Sequence, residues 1–161
     1  IIEAQCHGLD LIEYLCGPIS SVSADMTDMT GKDSYTTFSL SLRFKAGGVG
    51  TFLGSFDAED AYDCVQELRI NGTAGNITIT DNTREYICQE RGQETACVWK
   101  PGIFDDENSS FGKNLDRNID QTLRALRNGE MPPIRAERGL RALEVAWAAI
   151  EAFEKGIRVE I

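Results

Sequence analysis

The sequence IIEAQCHGLDLIEYLCGP, residues 1–18, predicts an apolar helix that ends at a Gly-Pro stop. Its apolar residues recur at helical spacing around much of the circumference, which is typical of a helix that is mostly buried. With each residue turning the helix by about 100°, the ionisable and hydroxyl-bearing side chains fall on one narrow stripe. We therefore expect this stripe to lie inside the protein or along a cleft, and its members are Glu3, His7, Asp10 and Tyr14.

Several interpretations of the stripe are open at this point. His7 is the only histidine in the chain, and a lone histidine on an apolar helix is often a hydrogen-bonded core residue. Acidic residues near a helix N-terminus favour the helix dipole whatever their function. Four such groups cost too much to bury unpaired, so at the least they form a network. Glu3, His7 and Asp10 also suit a divalent metal ion, but three ligands on one short helix rarely reach one centre, so we expect no metal.

Composition limits the class of protein. The 161 residues amount to one domain, and the formal charge of −10 argues against nucleic-acid and anionic-membrane partners, which need a basic surface. The chain has no run of apolar residues long enough to span a membrane, and its apolar start lacks a basic flank and so does not resemble a signal peptide. The five cysteines are odd in number and contain no C-x-x-C pair, which favours a reduced, cytoplasmic protein over a disulfide scaffold or a zinc site.

After Pro18 the apolar period changes from that of a helix to that of strands. Residues 35–44 alternate between apolar and polar side chains, and further short strands follow as an antiparallel meander up to residue 100. Two helices come next: an amphipathic one ending at Asn128-Gly129, and a last one capped by Gly156 before a short closing strand. For the last helix we predict a buried stripe of Leu140, Leu143, Trp147, Ile150 and Phe153.

This order of elements predicts an α+β domain over residues 1–161, with a mainly antiparallel open sheet and helices packed on one face. The glycine-rich stretch of residues 48–54 invites comparison with a dinucleotide-binding fingerprint. A strand-like sequence follows it, however, whereas the fingerprint requires a helix N-terminus to meet the pyrophosphate. We therefore assign no cofactor-binding residues within this chain.

Four stretches together resemble the C-terminal domain of the glucose–fructose oxidoreductase / inositol dehydrogenase / MocA (Gfo/Idh/MocA) family. The first is the acid-x-x-x-His-x-x-Asp helix with its Gly17-Pro18 stop, and the second is the strand pair around FKAGGVGT. The third is the strand–turn–strand sequence LRINGTAGNI, and the last is the C-terminal run LRNGEMPP, GLRALEV and EKGIRVEI. In this order the four stretches cover essentially the whole chain.

The resemblance implies a substrate-binding domain that follows an N-terminal Rossmann domain, here absent, which binds NAD or NADP. It implies hydride transfer between the nicotinamide and a hydroxyl-bearing carbon of a sugar, cyclitol or related molecule. His7 would be the catalytic acid/base, and Glu3, where the family usually has Asp, would be catalytic with it by orienting the imidazole or contacting the substrate. Asp10 would bind the substrate or fix His7, and Tyr14 either donates to a substrate hydroxyl or is structural.

Two further expectations concern the protein as a whole. The chain starts inside the predicted helix without Met or a capping residue, so we expect a fragment or excised domain that is inactive alone. The resemblance also implies homo-oligomerisation through the sheet face. The alternative is a stand-alone, non-enzymatic oligomerisation or binding module of the same fold.

Overall fold

The computed structural model describes residues 1–2, 4–31, 34–57, 65–81, 84–104, 107 and 110–161. The helices and strands are α1 (Cys6–Cys16), β1 (Ile19–Thr27), β2 (Thr37–Phe44), β3 (Val49–Ser55), β4 (Glu67–Asn71), β5 (Gly75–Thr80), β6 (Glu85–Glu90), β7 (Cys97–Trp99), α2 (Phe111–Asn128), α3 (Ala136–Lys155) and β8 (Val159–Glu160). This confirms the predicted α+β class and the predicted order of elements. Glu3 and Cys64 lie outside the described residues.

The strands form two antiparallel sheets instead of one continuous meander. The first sheet has the order β3-β2-β1-β8, and the second has the order β4-β5-β6-β7. The chain correspondingly divides into two compact units, one made of Ile1–Ala58 with Ile134–Ile161 and the other of Glu59–Pro133. The strand pattern could not reveal this division, because alternation marks a strand but not the sheet to which the strand belongs.

The first unit buries one face of its sheet, as the alternation in β2 predicts. Phe38, Leu40 and Leu42 are buried, whereas Ser39 and Ser41 between them are exposed. The register places Val22 of β1 opposite Leu42 and Met26 opposite Phe38, and these β1 residues are buried too. The core of this unit therefore lies between this sheet face and the helices α1 and α3.

The predicted buried stripe of α3 is wrong. Leu140 and Trp147 are 60% and 59% exposed, Leu143 is also exposed, and Ile150 and Phe153 are half-buried. The buried face consists instead of small residues, Ala142, Val145, Ala146, Ala148, Ala149 and Ala152. Alanine side chains let the helix backbone approach β1 and α1 closely, so the tight contact selects the small face and leaves larger side chains outside.

The second unit contains the second sheet and α2. Ser110 caps α2 by accepting a hydrogen bond from the Lys113 amide at 3.3 Å, and Gly129 ends the helix in the left-handed conformation at φ 71°. The end of the helix at Asn128-Gly129 confirms the sequence prediction. No helix in the described part of the chain is long and apolar enough to cross a bilayer.

Candidate functional site

Helix α1 begins at Cys6, so the prediction of a helix from the first residue is wrong. Gln5 precedes the helix and its side chain makes no capping hydrogen bond. The residues before it include no Ser, Thr, Asp or Asn that could cap a longer helix. As a consequence Ile1 and Ile2, which made the segment look apolar all round, do not belong to the helix.

The stripe lies on the exposed side of α1. His7 is exposed, Asp10 is intermediate and Tyr14 is 73% exposed. The buried side of the helix is the opposite one, formed by Gly8, Leu9, Ile12 and Glu13. The expectation of a mostly buried helix with an interior stripe is therefore wrong for these three residues, and Glu3 cannot be placed.

A glycine sets how closely α1 approaches the first sheet. A Cβ atom added to Gly8 would lie 2.6 Å from Cζ of Phe52 on β3. The Phe52 ring in turn packs edge-on against Phe38, with ring centroids 5.3 Å apart. The bare Gly8 backbone thus rests on an aromatic pair, and the next residue towards the N-terminus, His7, faces away from it.

Asp10 is held by an arginine at the start of α3. Arg138 donates from Nε to Oδ1 of Asp10 at 2.9 Å and from Nη2 to the Asp10 carbonyl at 3.1 Å. The same guanidinium lies over the Tyr14 ring, 5.9 Å from its centroid. One cation therefore orients both side chains, at a site where the Arg138 and Asp10 side chains are 39% and 34% exposed.

A buried carboxylate fixes the C-terminal end of α1. Glu13 is 9% exposed and accepts the Ile19 amide at 2.7 Å and Nη2 of Arg141 at 3.1 Å. Arg141 also donates from Nη2 to the Ile19 carbonyl at 2.7 Å. One ion pair thus joins α1, β1 and α3 at the point where the chain leaves the helix.

Burial also affects a thiol on the last turn of α1. Desolvation raises the pKa of the Cys16 thiol, which favours its neutral form. Cys16 is therefore a poor nucleophile in this position.

Of the three stripe residues that the structure describes, His7 is the one without a side-chain contact to Arg138. No described residue makes a hydrogen bond to its imidazole, whereas Asp10 and Tyr14 both contact Arg138. An exposed imidazole can donate a proton from one nitrogen and accept one at the other. Within the described ranges no three His, Cys, Asp or Glu side chains are grouped so as to hold an ion. The metal alternative also requires Glu3, which lies outside those ranges, so it stays an alternative.

The glycine-rich stretch of residues 48–54 is part of a β-hairpin. Gly48 ends the turn between β2 and β3, and residues 49–54 belong to β3 itself. A strand therefore follows the turn at this point, as the sequence predicts, in place of the helix N-terminus that the dinucleotide fingerprint requires.

Sequence reasoning missed three residues of this site: Glu13, Arg138 and Arg141. Arg138 pairs with Asp10 and Arg141 pairs with Glu13, and the partners in each pair are 128 positions apart in the chain. A local sequence pattern does not extend over such a separation. The spacing of three residues between Arg138 and Arg141 matches that between Asp10 and Glu13. This matching spacing is a sequence signal that the two helices face each other. In a sequence with many charged residues, however, the same spacing often occurs by chance.

Comparison with known proteins assigns the chain to a protein family. Residues 1–161 match the family described as "Oxidoreductase family, C-terminal alpha/beta domain". The chain is 25% identical to myo-inositol 2-dehydrogenase of Thermotoga maritima over 99% of its own length and 48% of that protein. It thus spans about half the length of the curated relative that it matches.

Two solved structures share the fold. A levoglucosan dehydrogenase in complex with NADH and levoglucosan superposes with a TM-score of 0.80 and 19% identity, over 99% of this chain and 49% of that one. The WlbA dehydrogenase of Bordetella pertussis, in complex with NADH and UDP-GlcNAcA, gives 0.76 and 20%, over 97% and 46%. Together with the family match along its whole length, the likeness shows that this chain belongs to the C-terminal α/β domain family of the Gfo/Idh/MocA oxidoreductases.

Proposed function

We propose that this chain is the substrate-binding domain of a nicotinamide-dependent oxidoreductase acting on a hydroxyl-bearing carbon of a sugar, cyclitol or related polyol. Family membership supports the reaction class. The relatives named above are a myo-inositol dehydrogenase and a dehydrogenase bound to NADH and levoglucosan, which supports a polyhydroxylated substrate.

The observation that carries the proposal is that the His7 side chain is exposed and has no hydrogen-bond partner among the described residues. Its imidazole lies on the exposed side of α1 and has no partner among the described residues, so a ring nitrogen is available to a substrate hydroxyl. Oxidation of an alcohol requires a base within hydrogen-bond reach of the hydroxyl, and imidazole exchanges protons readily near neutral pH. His7 would take the hydroxyl proton when the alcohol is oxidised and return it in the reverse direction.

The other stripe residues have supporting roles in this proposal. Glu3 would hold the tautomer and orientation of the imidazole through a carboxylate hydrogen bond. Asp10, anchored by Arg138, would present its free carboxylate oxygen to a substrate hydroxyl or to His7. Tyr14 would donate its phenol to a substrate hydroxyl from an exposed position one turn further along.

The cofactor in this proposal is NAD or NADP, held by a Rossmann domain outside this chain. When bound, the nicotinamide supplies the hydride acceptor or donor. The two cofactors are distinguished by measuring the dissociation constant of each for the full protein.

The test is His7→Ala in the full protein that contains this chain and its cofactor domain. We expect kcat with the best polyol substrate to fall about 10²- to 10⁴-fold, because the proton then has no base to receive it. The dissociation constant of the nicotinamide, measured by fluorescence titration, should stay within about twofold.

The control is Leu15→Ala, which changes an exposed apolar side chain on the same helix outside the stripe. Its turnover should remain close to that of the parent protein. Unchanged turnover in the His7 variant would overturn the assignment of the base. The stand-alone module is not favoured by the family match, and it would require that the full protein bind no nicotinamide at all.

We also propose that the protein is a homo-oligomer and that the outer face of the first sheet carries the interface. Val49 and Leu53 project from this face and are 79% and 74% exposed. Around them the face is rich in short hydroxyl side chains, and Arg158 lies across it, donating to Ser21, Ser23 and Ser41. An exposed sheet face of this composition suits packing against the same face of a second copy. A reduced, cytoplasmic setting remains a prediction from the cysteine content.

A further inference from the structure

The second sheet places two cysteines directly opposite each other. The register of β6 with β7 pairs Tyr86 with Trp99, Ile87 with Val98 and Cys88 with Cys97. Directly opposite residues of an antiparallel pair have Cα atoms about 4.5–5.5 Å apart, and their side chains leave the sheet on the same face. A disulfide requires a Cα separation of about 4.4–6.8 Å, and the separation of directly opposite residues falls within that range.

Tyr86 gives separate support for two thiols on one face. It lies two residues before Cys88 and therefore on the same side of β6. A hydrogen bond with the Cys88 thiol raises the pKa of Tyr86, and the charge interactions with Cys88 and Cys97 act in the same direction. The phenol of Tyr86 is therefore influenced by both cysteines, in agreement with their opposition in the strand register.

Both thiols are free and within reach of solvent. Cys97 is exposed and Cys88 is half-buried. They lie at the edge of the second sheet, because β7 is its last strand and pairs with β6 alone in the described sheet. By contrast, Cys6 and Cys16 are ten residues apart on α1, about 15 Å along the helix axis, and cannot pair.

We propose that Cys88 and Cys97 form a reversible intramolecular disulfide that ties the edge strand β7 to β6, with a small-molecule disulfide such as oxidised glutathione as the oxidant. The exposed Cys97 thiolate attacks the oxidant, whose S–S bond breaks and releases one thiol. The Cys88 thiolate then displaces the second thiol as the protein S–S bond forms. Two electrons and two protons pass from the cysteine pair to the oxidant.

The bond would change the local behaviour of the sheet. It closes residues 89–96 into a loop and prevents the three-residue strand β7 from leaving β6. It also removes the Cys88 thiol as a hydrogen-bond partner of Tyr86. An accessible disulfide of this kind is readily reduced again, so the pair acts as a switch of edge-strand order rather than as a permanent staple.

The test incubates the protein in buffer containing reduced and oxidised glutathione, followed by acid quenching, alkylation and tryptic digestion. Cleavage after Arg84 and Arg91 separates Cys88, in residues 85–91, from Cys97, in residues 92–113. We expect these two peptides to be recovered as a disulfide-linked pair, with the intact mass lower by about 2 Da and restored by dithiothreitol. Amide hydrogen exchange in residues 97–99 should slow in the oxidised form.

Two variants make the result specific. Cys97→Ser should abolish the linked pair, whereas Cys16→Ser should leave it unchanged. Recovery of Cys88 and Cys97 as alkylated thiols, as separate glutathione adducts, or in a disulfide with Cys64 or with a second chain would each overturn the proposal.

Discussion

At the scale of single residues, small side chains decide where the larger ones go. Gly8 allows α1 to rest on the Phe52 ring, and the alanines of α3 allow that helix to pack closely in the first unit. Large apolar residues such as Leu140 and Trp147 are consequently left on the exposed side of α3. Hydrophobicity alone ranks these residues as core, whereas the packing distance selects the small ones.

Gly8→Ala should destabilise the protein by about 1 kcal/mol. Alanine in a helix interior is normally favoured over glycine by up to about 1 kcal/mol, but here its Cβ would meet the Phe52 ring and force the aromatic pair to shift, at a cost of about 1–3 kcal/mol. Chemical denaturation measures the difference.

Gly139→Ala is the matched control, because Gly139 is also helical and has open space around its Cβ position. We expect it to stabilise the protein by about 0.5–1 kcal/mol, the opposite sign. If both substitutions stabilised the protein equally, Gly8 would not be a packing requirement.

At the scale of elements, two ion pairs join α1 to α3. Asp10 pairs with Arg138 and Glu13 pairs with Arg141, so a step of three residues on one helix matches the same step on the other. This register fixes the rotation of α1 about its own axis, and with it the direction in which His7 points. The position of the candidate base therefore depends on two arginines that do not touch it.

Glu13→Gln should lower the free energy of unfolding by about 3 kcal/mol, because it leaves the largely buried Arg141 without its main counter-charge. Thermal or urea unfolding gives the difference. The control is Asp120→Asn on α2, where the Arg124 and Asp120 side chains are 73% and 56% exposed and the pair contributes about 0.5 kcal/mol or less. Similar effects of the two substitutions would contradict the structural importance of the Glu13 pair.

At the scale of the whole molecule, the first sheet buries one face under α1 and α3 and exposes the other. The exposed face combines Ser and Thr side chains with two prominent apolar ones, Val49 and Leu53. This composition is the basis of the proposed interface between copies of the chain.

Leu53→Arg should weaken self-association, because the interface would have to desolvate a new positive charge. The same face already carries the Arg158 guanidinium, so the new charge would also add to repulsion between like charges. We expect the dissociation constant from sedimentation equilibrium to rise at least about tenfold, which corresponds to about 1.4 kcal/mol. Val65→Arg, at a position with the same 74% exposure in the second unit, should leave association unchanged. Equal effects of both variants would place the interface elsewhere.

The sequence by itself determined the order of helices and strands, the α+β class and the family. These depend on local patterns: the alternation in β2, the Gly17-Pro18 stop of α1, and the glycines that end α2 and α3. Such patterns act over a few residues and can be read without knowing the rest of the molecule.

Only the tertiary structure decided which faces are buried, how the strands divide into two sheets, and which residues meet. The alanine face of α3, the exposed direction of His7, the Glu13–Arg141 pair and the opposition of Cys88 to Cys97 all depend on contacts between separate segments. Their physical reason is packing distance and strand register, which the whole chain sets together and which no local window of the sequence contains.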